Sequence, residues 1–251
     1  MKFSKCSFMS TLQHYLETDL GIHRKVIELL CNRDVPKNNG YWKGRNSFIS
    51  QSPGYLFIPI FLDLLLKSNL DEAVLSASHL ILIEEILHSA ARQESGIITY
   101  LQHHQECKEI LEKIGIASHE IQKIEHALVN RSFKLFPDKY KSLRRANSYL
   151  YTAALFPDNY ELIFHIWESL MPLFLFLDDL EDLPEDLATQ SENCLLDSPD
   201  LENNFFTLHP LIAESIKQVE PINNILYKEL NRMRQEAVAG KLRGILLADK
   251  S

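Results

Sequence analysis

The chain has 251 residues, a formal net charge of −8 and an apolar fraction of 45%. That length and composition support a globular protein with a substantial core, and the acidic balance excludes a nucleic-acid partner, because phosphate binding needs concentrated Lys and Arg. Only 8 glycines are present, which argues against a sheet-rich or nucleotide-loop architecture.

In chain order, the first residues turn polar and charged from Gln13 onward, too early for a secretory signal. Residues Thr11 to Leu30 read as one or two amphipathic helices broken near Gly21. A polar loop from Asn32 to Ser52 follows. Pro53 opens an apolar segment running to Leu66, as proline does in a first helical turn. The next helix is expected over Asp71 to Gln93, capped by Asn69 or Asp71. Another runs from Ile97 to Ile114 and ends at Gly115. Helices over Ser118 to Lys134, Asp138 to Leu155 and Asp158 to Leu183 each begin at Ser or Asp. Pro184 to Thr207 reads as an acidic, mobile loop, and His209 to Val219 and Ile222 to Leu246 complete the chain.

No strand pair or repeat is legible. The expectation is one all-α domain over residues 1–251, built from roughly nine to eleven helices. The segments Tyr55 to Leu66 and Ile163 to Leu177 are apolar nearly all round, which marks central helices wrapped by others. The longest apolar stretches are too short or too interrupted to span a bilayer. Cys6, Cys31, Cys107 and Cys194 form no CxxC pair, so free thiols in a reducing, cytoplasmic setting are expected.

Two acidic clusters carry the chemistry. Leu173 to Leu177 is an apolar run that delivers Asp178, Asp179, Glu181 and Asp182 in quick succession. On a helix Asp178, Asp182 and Asp186 fall at i, i+4 and i+8, on one face. Like charges so close are unfavourable without a cation, and hard oxygen ligands suit Mg²⁺. Upstream, an apolar run from Leu80 to Ile83 delivers Glu84 and Glu85, with His88 one turn past Glu84. Two such helices facing each other would hold Mg²⁺ against a diphosphate.

With these motifs the sequence resembles the trans-isoprenyl diphosphate synthase (polyprenyl synthetase) family. The stretch PLFLFLDDLEDLPEDL, Pro172 to Leu187, is similar to the family's second aspartate-rich motif. ASHLILIEEILHSAARQESG, Ala77 to Gly96, resembles its first-motif helix, with Glu84-Glu85-Ile86-Leu87-His88 where DDxxD is expected. Gly40-Tyr41-Trp42-Lys43-Gly44-Arg45 resembles the family's glycine-lysine-arginine segment, and Tyr151-Thr152 its lysine-threonine segment. The chain departs from the pattern in Glu for Asp at 84 and 85, in His88 for the last aspartate, in Arg92-Gln93 for tandem arginines, and in Tyr151 for lysine.

The resemblance implies a single-domain class I isoprenoid-synthase-like helical bundle around a central apolar cavity. It implies an enzyme that ionises an allylic isoprenoid diphosphate with Mg²⁺ and condenses it with isopentenyl diphosphate. Asp178, Asp179 and Asp182 would be catalytic metal ligands, with Glu84 and Glu85 as further ligands. Lys43, Arg45 and Arg92 would hold the diphosphate, and His79 and Leu80 would lie where side-chain size sets product length. A homodimer or a heteromeric synthase partner is the assembly implied. Three alternatives stay open: a terpene synthase-like cyclase or lyase acting on one diphosphate, a non-catalytic regulatory subunit of a heteromeric synthase, and a di-iron oxidase suggested by Glu85-x-x-His88.

Overall fold

The computed structural model describes residues 13–31, 33–42, 56–68, 75–130 and 135–248. Among them every regular element is helical and no strand occurs, so the protein is all-α. The chain divides into two compact units, residues 1–131 with 145–165, and residues 132–144 with 166–251.

In the first unit, a π-helical turn (Tyr15–Asp19) leads to Gly21, whose φ of 62° allows the left-handed break expected there. Helix α1 (Arg24–Cys31) buries Val26, Ile27 and Leu30 and packs on α2 (Phe57–Lys67). Every residue of α2 from Phe57 to Leu65 is buried, as its all-round apolarity predicts, and that includes Asp63. The Asp63 carboxylate accepts the His23 N–H at 2.6 Å and the Lys67 ammonium at 2.9 Å, while Lys67 also reaches the Gly21 carbonyl. The one acid in this core helix therefore fastens the chain reversal after Gly21.

Helix α3 (Ala77–Glu94) starts later than Asp71. Ser76 is extended, and its hydroxyl oxygen accepts the His79 N–H, which makes Ser76 the cap. Likewise α4 (Tyr100–Lys113) starts after Ile97, at a capping box formed by Thr99 and Gln102. It ends short of Gly115, at φ 83°, as expected. Helix α5 (Ser118–Asn130) follows.

Residues Lys141–Leu155 wind as a 3₁₀ helix, not the α-helix that their periodicity suggested. Their hydroxyls favour the tighter winding: Ser148 donates to the Arg145 carbonyl and Thr152 to the Tyr149 carbonyl, each three residues back. At the start of this helix, Asp197 accepts both the N–H and the hydroxyl of Ser142, at 2.9 and 2.8 Å.

Helix α6 (Tyr160–Thr189) passes through Pro172 and Pro184 and runs beyond the expected end at Leu183. The predicted loop from 184 to 207 shrinks accordingly, since α7 (Leu201–Lys217) begins well before His209 with Asp200 as its cap. Asn193, Cys194 and Leu195 of the connecting loop are buried, not mobile surface. Asn204 of α7 holds them by donating to the Cys194 and Leu195 carbonyls, both at 3.0 Å. α7 runs antiparallel to α6: Phe205 stacks on Phe176, and Ser215 donates to the Glu168 carbonyl at 2.6 Å. Helix α8 (Asn224–Ala248), capped by Asn223, packs on α7. By length and composition alone α6 could cross a membrane, but 67% of its apolar stretch is buried inside the protein, as in a core helix.

Candidate functional site

The second acidic cluster sits on α6 past a stretch in which Leu170, Leu173 and Phe176 are fully buried. Its carboxylates do not share one environment. Asp178 and Asp182, one turn apart, are exposed. Asp179, between them, points inward and is 2% exposed; its Oδ2 accepts the Cys194 N–H at 2.7 Å. Asn193 donates from one amide nitrogen to the Asp179 carbonyl and to Asp186 Oδ2, both at 2.8 Å. The loop after α6 thus folds back and clasps the acidic helix end. Asp179 and Asp186, expected among the cation-facing carboxylates, are engaged by that clasp.

The first cluster lies on α3. Glu84 is 1% exposed and points to the interior, whereas Glu85 is exposed. Arg33 donates to Glu84 Oε2 at 2.5 Å and the Trp42 indole N–H to Oε1 at 3.0 Å. Asn39 donates to the Glu84 carbonyl at 2.8 Å, and the Gly40 N–H to His88 Nδ1 at 2.6 Å. The approach is close, because a Cβ on Gly40 would meet His88 Nδ1 at 3.1 Å and the imidazole would have to shift by a few tenths of an ångström. Burial raises the Glu84 pKa, against the pull of Arg33 and Trp42, and burial followed by the Arg92 charge lowers that of His88. Arg33, Asn39, Gly40 and Trp42 thus meet α3 through contacts that occupy both oxygens of Glu84 and the Nδ1 of His88.

The remaining candidates divide similarly. Arg92 pairs with Glu106 at 2.8 Å. His79 stacks on Phe156, and Leu80 is fully buried. Tyr151, in the lysine position, is buried with its hydroxyl on His104 Nδ1. Lys43 and Arg45 lie outside the described residues, as do Pro53, Asn69, Asp71 and Cys6. Cys31, Cys107 and Cys194 are buried and in no disulfide.

Sequence reasoning missed the partners: Arg33 and Trp42 for Glu84, Glu106 for Arg92, and the Asn193-Cys194 clasp. Nothing in periodicity pairs residues so far apart. It also missed a closed polar network between α3 and α4. Ser89 donates to Glu106 at 2.6 Å and lies 2.9 Å from His103 Nδ1, while His103 Nε2 lies 3.3 Å from the Ser148 carbonyl.

His103 is fully buried, and desolvation pulls its pKa below the ordinary 6.5. Below that value the unfolded chain binds a proton that the folded site refuses, so this contribution to stability is lost as pH falls from about 7 through 6.5 toward the depressed folded value. His103→Gln is expected to flatten the pH dependence of the urea midpoint in that window. An unchanged slope would remove His103 from the account.

Among the described residues no group of three or more His, Cys, Asp or Glu side chains is placed to hold a metal ion. Mg²⁺ is commonly bound by one or two carboxylates together with waters and substrate phosphates, and Asp178 and Asp182 are carboxylates of that kind, exposed one turn apart. What the fold and these side chains define is an all-helical protein with an exposed carboxylate pair on a buried apolar helix. Comparison with protein-family models, with curated proteins and with solved structures finds no match to this chain.

Proposed function

We propose that the protein is a prenyltransferase-like enzyme of the class I isoprenoid-synthase type. It ionises an allylic isoprenoid diphosphate and condenses it with isopentenyl diphosphate. The observation that carries this reading is the Asp178–Asp182 pair, exposed one turn apart where the buried stretch of α6 from Ser169 to Phe176 reaches solvent. Asp178 and Asp182 would hold Mg²⁺ together with the diphosphate, and the ion, when bound, would supply Lewis-acid stabilisation of the leaving group. Asp179 keeps that helix end in place through the Cys194 N–H. The apolar α6 residues before the pair would supply a dry wall for an isoprenoid tail. On this reading the protein works in the cytoplasm, as a homodimer or beside a synthase subunit.

The state of Glu84 favours a second reading, a non-catalytic subunit of a heteromeric synthase. A first-motif carboxylate held by Arg33 and Trp42 contributes to folding, not to a second metal site.

The test is Mg²⁺-dependent turnover of allylic diphosphates of several lengths, with and without isopentenyl diphosphate, read by mass spectrometry. Elongated diphosphates are expected. Hydrocarbon or alcohol from the allylic substrate alone would replace the proposal with a terpene synthase-like reaction. Diphosphate binding without turnover would replace it with the subunit reading.

A further inference from the structure

Helix α8 turns Leu226 and Leu230 inward and then, one turn on, places a guanidinium at the same core-facing position. Arg234 is 7% exposed. Its Nε and Nη2 donate to one neutral acceptor, Asn231 Oδ1, at 3.2 and 2.9 Å, and Nη1 is buried with no hydrogen-bond partner. Among the described residues no carboxylate pairs with it. A buried charge in this condition is unfavourable unless an anion compensates it.

The surroundings narrow the kind of anion. His209 of α7 lies within electrostatic reach of Arg234, and burial together with that positive charge depresses its proton affinity. Its ring stacks on Phe205, which in turn stacks on Phe176 of α6. The corner therefore combines the Arg234 guanidinium, the His209 imidazole, the Tyr227 phenol within electrostatic reach of Arg234, and the Asn231 amide beside an aromatic wall. Among the described residues it holds no group of side chains placed to bind a metal ion. Nη1, the nitrogen that Asn231 leaves without a partner, is a charged donor suited to an oxyanion oxygen. The His209 imidazole on a second helix, within electrostatic reach of Arg234, favours a phosphate, with its additional acceptor oxygens, over a carboxylate.

We propose that Arg234, with Asn231 and His209 beside it, forms a metal-independent site for a phosphate-type oxyanion, the phosphate end of a phosphorylated small molecule. The site is separate from the Asp178–Asp182 pair and does not depend on the activity proposed above.

The experiment is calorimetric titration of inorganic phosphate into the full chain in EDTA, with NMR titration of the His209 ring. Wild type is expected to bind phosphate and to show a raised His209 pKa when it is bound. Arg234→Met should weaken binding by about tenfold or more, as for loss of hydrogen bonds to a charged group. Its phosphate-free thermal midpoint should be unchanged or higher, because the variant removes an uncompensated buried charge. Asp178→Asn should leave phosphate binding intact, which separates this site from the Mg²⁺-dependent one. Absence of phosphate binding by wild type, wild-type affinity in Arg234→Met, or a lowered phosphate-free midpoint in that variant would each overturn the proposal, the last by assigning Arg234 to the fold.

Discussion

Glu84→Ala is expected to destabilise the protein by about 3 kcal/mol, the lower end for removing one partner of a buried ion pair. The lower end applies because the Arg33 side chain retains 19% of its exposure, against 2% for Glu84. The substitution removes the carboxylate oxygens that accept the Trp42 indole N–H and the Arg33 guanidinium. It thereby loosens the segment from Arg33 to Trp42 where it packs on α3. Glu84→Gln keeps an acceptor for Trp42 and should cost about half as much. Urea unfolding of the three proteins makes the comparison. A Glu84→Ala variant as stable as wild type would show that the carboxylate is not an anchor and would restore it as a candidate ligand.

The second large effect separates neighbours on α6. Asp178→Ala and Asp182→Ala are expected to lower Mg²⁺-dependent turnover by on the order of a hundredfold or more, as for loss of electrostatic stabilisation at a leaving group. Asp182 is exposed, so the stability of its variant should stay within about 0.5 kcal/mol of wild type. Asp179→Ala should behave in the opposite way. Its carboxylate is the buried acceptor of the Cys194 N–H, and losing it should cost about 2 kcal/mol and free the loop from 190 to 197. Unfolding curves and initial rates on the same preparations distinguish the two patterns. Equal behaviour of all three variants would contradict the division of roles.

The part of the fold legible in the sequence is the part set by burial on every side or by local chemistry. Phe57 to Leu65 could only be a core helix, and Gly21 and Gly115 could only be breaks, because both adopt positive φ. Ends were less legible. The capping box at Thr99 and Gln102 is a local signal, but the apolar Ile97 and Ile98 before it extend the periodic pattern past the true start. Pro184 reads as a stop, yet α6 continues through it to Thr189, beside a loop that holds Asp179 and Asp186.

At the candidate site, residue type was legible and orientation was not. Asp178 and Asp179 look alike in sequence. What separates them is a backbone N–H fifteen residues on. Glu84 looks like a ligand until Arg33 and Trp42 arrive from 51 and 42 positions away. Arg234 leaves a fainter mark, a lone cation continuing the stripe of Leu226 and Leu230.

The measurement that bears most directly on the central claim is calorimetric titration of inorganic diphosphate into the protein with Mg²⁺ and with EDTA, repeated on the Asp178→Ala, Asp182→Ala double variant. The account predicts binding that requires Mg²⁺ and is lost in the double variant while the protein remains folded. Diphosphate affinity that is the same in EDTA, or unchanged without the two aspartates, would contradict it.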